Sequence, residues 1–314
     1  MGKSKEQIKQ RNYGITIIFA LLILLLCFTI NNFIIIKKEK NRNSQLIVTY
    51  NQLRNNKLEK LEEQKKLSLT FDKIKNIDDE INSTKNDVFS LAKQVENKIL
   101  NNETNYKIAY ITFDDGPYYS TNKVLDILKQ YKIKATFFTI GLDKDICYDN
   151  KNYSCANTYK KIVENGHTIA NHTYSHAIFR GLYTNTDSFI NEVKKQQNLI
   201  QDRTGVVTNI LRFPGGSTTA RALSRNIDGL INELRQNGYG WVDWSSQDGD
   251  GGYLPTYDVA WNNFTNSINE NIEVVLFHDY SNITISMLPN AITYLENKDY
   301  ILLPLFYDSI KINK

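Results

Sequence analysis

The 314-residue chain reads as an α/β protein whose residues 105–314 predict a parallel sheet, covered by helices and curled into a barrel. Three observations predict this. Short β-rich runs alternate with helical segments from Lys107 onward, the pattern of βαβ units. Seven such runs occur, enough to curl into a (β/α)7 barrel. The unusual polar residues fall at the carboxyl ends of these runs, which in a parallel barrel share the rim on which active sites are built. A doubly wound open sheet is the alternative arrangement, and the first turn lacks the GxGxxG that would favour a nucleotide fold.

Residues 14–36, GITIIFALLILLLCFTINNFIII, carry no charge, and at about 1.5 Å per residue they are long enough to cross a bilayer. They predict a transmembrane anchor rather than a cleaved signal peptide, because the run is long for one and no small-x-small site follows it. Lys3, Lys5, Lys9 and Arg11 before the span balance Lys37, Lys38, Lys40 and Arg42 after it, so charge alone does not orient it.

Residues 37–104 are rich in Lys, Glu, Asn and Gln, with no proline or glycine. Ile74, Ile77, Ile81, Thr84, Val88, Leu91 and Val95 alternate spacings of three and four, the seam of a coiled coil. This predicts a helical stalk able to pair two copies as a homodimer. A lone amphipathic helix resting on the following domain is the other reading. Asn101 to Asn105 read as a short hinge.

The predicted strands are KIAYITF, KATFFTI, HTIAN, NILRF, YGWVDW, EVVLFH and YILLPL, starting at residues 107, 134, 167, 209, 239, 273 and 300. Helical periodicity lies between them, as in TNKVLDILKQYKI from Thr121 and DSFINEVKKQQNLIQDR from Asp187. A net charge of +4 with 23% charged residues argues against a nucleic-acid partner. Of three cysteines, Cys27 lies in the apolar span, whereas Cys147 and Cys155 are close enough in sequence to pair if they face an oxidising exterior.

The first strand runs into ITFDDGPYYS, where Asp114 and Asp115 are adjacent. Neighbours on a regular strand point to opposite faces, so both serve one site only if the strand ends there, and Gly116 with Pro117 is expected to end it. In NHTYSH, His172 and His176 are spaced i, i+4, and on a helical turn both imidazoles would grip one ion. With Asp115 the set becomes three protein ligands, the open pattern of a catalytic zinc site. Asp114 is then left beside an activated water as its base. No HExxH occurs, so a metalloprotease would lack its Glu. His278 is the remaining rim histidine, a candidate proton donor held protonated by Asp279 or an Asp of the fifth loop. Arg212 either fixes the carboxylate of Asp114 or makes a structural ion pair. RFPGGS offers unhindered backbone N–H groups, with Gly215 the expected oxyanion donor, although a simple tight turn explains the glycines equally well.

TFDDGP, NHTYSH, RFPGGS, the WSSQDGDGG loop and LFHD resemble, in order and spacing, the five motifs of the NodB-type polysaccharide deacetylases, carbohydrate esterase family four, over about residues 105–310. The resemblance implies a distorted (β/α)7 barrel that removes acetyl groups from N-acetylglucosamine units of a polymer with a divalent ion, zinc first, cobalt or another ion as alternatives. It implies Asp114 as base, Asp115, His172 and His176 as metal ligands, His278 as acid and Arg212 as the residue that orients the base. Leu276 would line the acetate pocket. Alignment on Trp244, taken as a groove residue, puts Asp250 where the family keeps the Asp that tunes the acid, with Asp248 as competitor. The chain departs from the family's common Arg-Pro-Pro-Tyr at Arg212 to Gly215, which removes a tyrosine from the groove wall.

The organisation expected is therefore a cytoplasmic N-terminus at 1–13, an anchor at 14–36, a stalk at 37–104 and an extracellular deacetylase domain at 105–314. Peptidoglycan is the expected substrate. Chitin oligomers, poly-N-acetylglucosamine and acetylxylan are alternatives, as is a non-catalytic metal-bound wall-binding scaffold.

Overall fold

A computed structural model describes residues 22, 24–38, 40, 81–141 and 155–314. The chain forms two compact units, Met1–Lys65 and Lys66–Lys314. In the first, residues 24–38 are helical, with Leu25, Phe28 and Phe33 exposed. Among the described residues no helix is long and apolar enough to cross a membrane. Residues 14–21 of the expected anchor, the N-terminal 1–13 and stalk residues 41–80 lie outside the described residues.

The second unit opens with α1 (Ile81–Leu100) and continues β1 (Lys107–Gly116), α2 (Thr121–Tyr131), β2 (Thr136–Thr139), α3 (Ala156–Glu164), β3 (Thr168–Asn171), α4 (Thr186–Thr204) and β4 (Ile210–Leu211). It ends with α5 (Gly216–Leu223), α6 (Ile227–Gln236), β5 (Gly240–Trp241), β6 (Ser246–Gln247), α7 (Tyr257–Ser267), β7 (Ile272–His278), α8 (Asn282–Asn297) and β8 (Tyr300–Leu303). The seven expected runs all contain strands, and β6 is an additional two-residue strand with no apolar run to announce it.

All strand pairs are parallel, in the order β5, β4, β3, β2, β1, β7, β6, with β8 beside the first half of β1. β5 and β6 do not pair, so the sheet curls without closing as a barrel. At the β5 edge, Asn313 of the C-terminal tail forms an antiparallel bridge with Trp241.

β1 is apolar on both faces because the sheet is covered on both, as parallel sheets require. Ala109, Ile111 and Phe113 face the outer helices in one core cluster, while Ile108 and Tyr110 face the concave side in another. The alternation continues through Thr112 to Asp114 and so delivers Asp114 to the concave face at the carboxyl end.

The inner cluster also includes Ala92 and Ile99 of α1, with Phe89 and Val95 packed against it. The Phe89 ring stacks on Phe306 at 5.2 Å. The described part of the expected stalk thus rests on the domain that follows it, through a face at Phe89, Ala92, Glu96 and Ile99. Ile74 and Ile77 of the expected seam lie outside the described residues.

Glu96 is fully buried on this face, accepting hydrogen bonds from Tyr110 Oη at 2.7 Å, Ser309 Oγ at 2.5 Å and the Ile310 N–H at 3.1 Å. Glu96→Ala should lower stability by about 3 kcal/mol, because it strands buried donors. Thermal unfolding of the full chain checks this, and an unchanged midpoint would show that the helix is not fixed by Glu96.

Candidate active site

Asp115 reaches the concave face by a route different from the expected strand end. β1 runs through to Gly116, and its register with β2 shifts between Asp114 and Gly116. Asp115 sits at this bulge with φ +69°, in the left-handed region. A bulge breaks the two-residue alternation and re-aims a side chain, so both carboxylates serve one site while the strand continues.

The histidine segment also differs from expectation. Residues 172–177 form no helical turn, and Thr173 and His176 have φ of +66° and +49°. The side chain of Asn171 holds the bend by accepting the Thr173 N–H at 2.9 Å, an Asx-type turn. Folding the loop back achieves what the helix was expected to do, since the His172 and His176 rings lie 4.9 Å apart.

The ligand atoms of Asp115, His172 and His176 all lie within 4.8 Å of one another. Asp115 Oδ1 is 3.4 Å from His172 Nε2 and 3.2 Å from His176 Nε2. His172 Nδ1 is 2.7 Å from the Arg212 carbonyl, which can only accept, so Nδ1 carries a proton and Nε2 is the ring nitrogen that faces the cluster. Burial, the main influence on His176, holds its pKa below the ordinary value and favours the neutral ligating form. Asp115 Oδ1 is buried without a hydrogen bond among the described residues. Converging acceptors around an orphaned carboxylate oxygen suit a divalent cation, and these three residues would hold it.

Asp114 belongs to the same cluster but is held differently. Its Oδ1 receives Arg212 Nη1 at 2.8 Å, while its Oδ2 faces His172 Nε2 at 3.6 Å. Arg212 is fully buried and also donates to Thr112 Oγ at 2.7 Å and to the carbonyls of Val242 and Asp243 at 3.2 and 3.1 Å. The expected orienting arginine therefore touches the expected base directly.

On the other side, His278 Nδ1 donates to Asp250 Oδ1 at 2.6 Å, and the His278 N–H donates to Asp250 Oδ2 at 2.9 Å. Its Nε2 points back toward Asp115 Oδ2, 3.7 Å away. Burial opposes a charge on His278, but the hydrogen bond and charge of Asp250 outweigh it and raise the pKa to about 9. Gly251 leaves room for this ring, since a Cβ there would lie 2.6 Å from His278 Cε1.

Asp248 acts one step behind. Thr284 Oγ is 2.7 Å from Asp248 Oδ2 and 2.5 Å from Asp250 Oδ2. One hydroxyl proton cannot serve both contacts, so one carboxyl brings its own. Asp250 already accepts two N–H groups from His278, which makes Asp248 the neutral partner. Burial and the charge of Asp250 raise the Asp248 pKa to about 7. Asp279 does not hold His278: its carboxylate accepts from Thr121 Oγ and packs against Gly116.

Leu276 is buried on the His278 face of β7, two residues below the imidazole. Gly215 precedes α5 with φ +73°, and its N–H makes no hydrogen bond among the described residues. Trp244 is half-buried against the inner core, and a Cβ on Gly216 would meet its ring at 2.9 Å, so the indole lies against the RFPGGS loop. Asp243 and Thr284 were not expected. Asp243 binds the Ser217 N–H at 2.8 Å and fixes that loop to the end of β5. The Asp-Trp ending of YGWVDW was a signal for it, whereas nothing in the sequence around Thr284 marks its contact with the acid.

His278 has a folded pKa near 9 against an ordinary 6.5, so the stability it contributes is fully present below about pH 6.5 and lost as pH rises through about 9. The metal-free chain should accordingly lose stability between about pH 7 and 9 in denaturant titrations. Asp250→Asn should flatten that decline.

Residues 101–229 match the polysaccharide deacetylase family. The chain is 32% identical over 200 residues to a peptidoglycan-N-acetylglucosamine deacetylase of Bacillus cereus, an alignment covering 62% of this chain and 67% of that protein. The fold is similar to the catalytic domain of a peptidoglycan N-acetylglucosamine deacetylase from Eubacterium rectale, with TM-score 0.59, 30% identity, and coverage of 66% of this chain and 92% of that one. It is also similar to the polysaccharide deacetylase Bc1974 from Bacillus cereus, with TM-score 0.57, 28% identity, and coverage of 66% and 96%. Motif order, curled sheet and relatives agree: the chain belongs to the polysaccharide deacetylases of carbohydrate esterase family four.

Proposed function

We propose that this chain removes N-acetyl groups from N-acetylglucosamine residues of peptidoglycan, as a metal-dependent hydrolase anchored in the cell membrane. The observation that carries this reading is the pair of adjacent carboxylates held for different tasks, Asp115 in a cluster of converging acceptors and Asp114 clamped by a buried arginine.

Asp115, His172 and His176 would hold the ion, zinc first with cobalt or another divalent ion as alternatives. When bound, it supplies a Lewis acid and brings the pKa of a coordinated water down to about 7. Asp114 Oδ2 takes the proton of the attacking water while Arg212, itself held by Thr112, fixes the carboxylate. His278, kept protonated by Asp250, donates to the nitrogen as the amide C–N bond breaks, leaving acetate and a free amine. The Gly215 N–H receives the developing oxyanion, Leu276 accommodates the acetyl methyl, and Trp244 lines the groove where the family's tyrosine is missing.

The apolar run at 14–36 supports a single-pass anchor. Cys155 is disulfide-bonded, which supports an oxidising exterior for the domain and hence a cytoplasmic N-terminus. Pairing of two copies through the stalk at 37–104 rests on the heptad spacing from Ile74 to Val95, and sedimentation of the detergent-solubilised full chain tests it: a monomer mass overturns the dimer.

Acetate release by the zinc- or cobalt-loaded full chain, compared across peptidoglycan, chitin oligomers, poly-N-acetylglucosamine and acetylxylan, is expected to be highest on peptidoglycan. Release from none of them would favour the wall-binding scaffold, which has no need of base and acid. Asp114→Asn should retain the metal and lower kcat about 10³-fold, whereas His172→Ala should lose the metal itself, as metal analysis after gel filtration would show. The reverse pattern overturns the roles.

A further inference from the structure

The exposed apolar side chains of the second compact unit are not spread evenly. Among the described residues of that unit, the exposed aromatic ones are Tyr119, Phe179, Tyr253 and Tyr257. Tyr119 lies between β1 and α2, Phe179 between β3 and α4, Tyr253 between β6 and α7, and Tyr257 begins α7. All four therefore follow strand carboxyl ends, on the rim that carries the metal cluster. Of the exposed aliphatic residues, Leu254 and Val259 share this rim, whereas Leu100 ends α1, Leu223 ends α5 and Val207 leads into β4.

Two of these rings stand out. Phe179 is 97% exposed and Tyr253 is 100% exposed. Each follows a catalytic element at close range: Phe179 is in the 3-10 turn Ile178–Arg180, directly after the His176 bend, and Tyr253 is two residues beyond Gly251, the glycine that receives the His278 ring. The backbone on either side of these rings is thus fixed by the loops that shape the site. β3 and β6 lie on opposite sides of β1 in the sheet, four strand spacings or about 19 Å apart along its curve. β1, which carries the Asp114–Asp115 pair at its carboxyl end, lies between them in the strand order.

We propose that Phe179 and Tyr253 are stacking platforms that hold a linear, β-linked amino-sugar polymer across the rim, one on each side of the reacting acetamide. Exposed aromatic rings gain most from a flat apolar partner, and the C–H faces of β-linked pyranose rings provide one without requiring a sequence of hydrogen bonds. Such a chain presents this face repeatedly, so two separated rings can grip one molecule at several sugar positions. A small acetyl ester reaches the reacting groups without touching either ring.

This inference rests on the proposed deacetylase reading, and the experiment separates the two. Phe179→Ala, Tyr253→Ala and the double variant are made in the full chain, with Phe179→Tyr as the conservative control. Each single alanine variant should raise KM for the polymer about tenfold, and the double variant about a hundredfold, with kcat changed by less than about twofold. Phe179→Tyr should stay near wild type. Turnover of an aryl acetate should not change in any variant, and metal-free protein should show the same losses in co-sedimentation with insoluble peptidoglycan. If wild type deacetylates a polymer and the double variant matches it in KM and co-sedimentation, the stacking proposal is overturned alone. If wild type hydrolyses the aryl acetate but neither binds nor deacetylates any amino-sugar polymer, the functional reading falls and this proposal with it.

Discussion

A guanidinium with no exposed surface holds the concave face of this protein together. Arg212 joins β1 to the ends of β4 and β5: its side chain reaches Thr112 and Asp114 on β1 and the carbonyls of Val242 and Asp243 just beyond β5. Its Cζ lies 4.2 Å from the centroid of the Phe138 ring on β2. Burying a charge this deeply is unfavourable unless the donors are satisfied and a counter-charge is present, and both conditions are met here. The backbone carbonyl of the same residue accepts from His172 Nδ1. One residue therefore sets the position of the base through its side chain and the orientation of a metal ligand through its main chain.

The opposite wall works by the same rule of unequal surroundings. Asp250 and Asp248 share Thr284, yet only Asp250 touches the imidazole. Asp250 is stabilised as an anion by two N–H donors, and its charge pushes the neighbouring carboxyl toward the neutral form. The site thus contains four acidic side chains, Asp114, Asp115, Asp248 and Asp250, each distinguished by its nearest partner. Chemical identity is common to all four, so geometry alone separates their tasks.

Much of this was legible in the sequence. The strand and helix alternation gave the parallel sheet, and the concentration of Asp, His and Arg at strand ends placed the rim. The metal set Asp115, His172 and His176 was readable from residue types, but the backbone that unites it was not. HxxxH suggested a helical turn, whereas Asn171 and Thr173 build a bend through side-chain hydrogen bonds and positive φ. Asp115 was expected beyond the strand and sits instead in a bulge within it. Such local geometries depend on partner strands that periodicity does not see. β6 escaped notice for a similar reason: Ser246 and Gln247 pair with β7 because of where the chain passes, with no apolar pattern of their own. The failure of β5 and β6 to pair is likewise a property of the whole sheet.

Glu96 has a consequence beyond the packing of one helix. Tyr110, which donates to it, shares a strand face with Thr112 and Asp114, so the carboxylate of α1 and the base of the site are attached to the same ten-residue strand. Asn101 to Asn105 connect two elements that are already fastened to each other, and their flexibility cannot act as a joint. Whatever turns the helix turns the rim by the same angle. An enzyme built this way addresses its polymer as a fixed tool head on a lever, with its direction of attack set by the axis of α1.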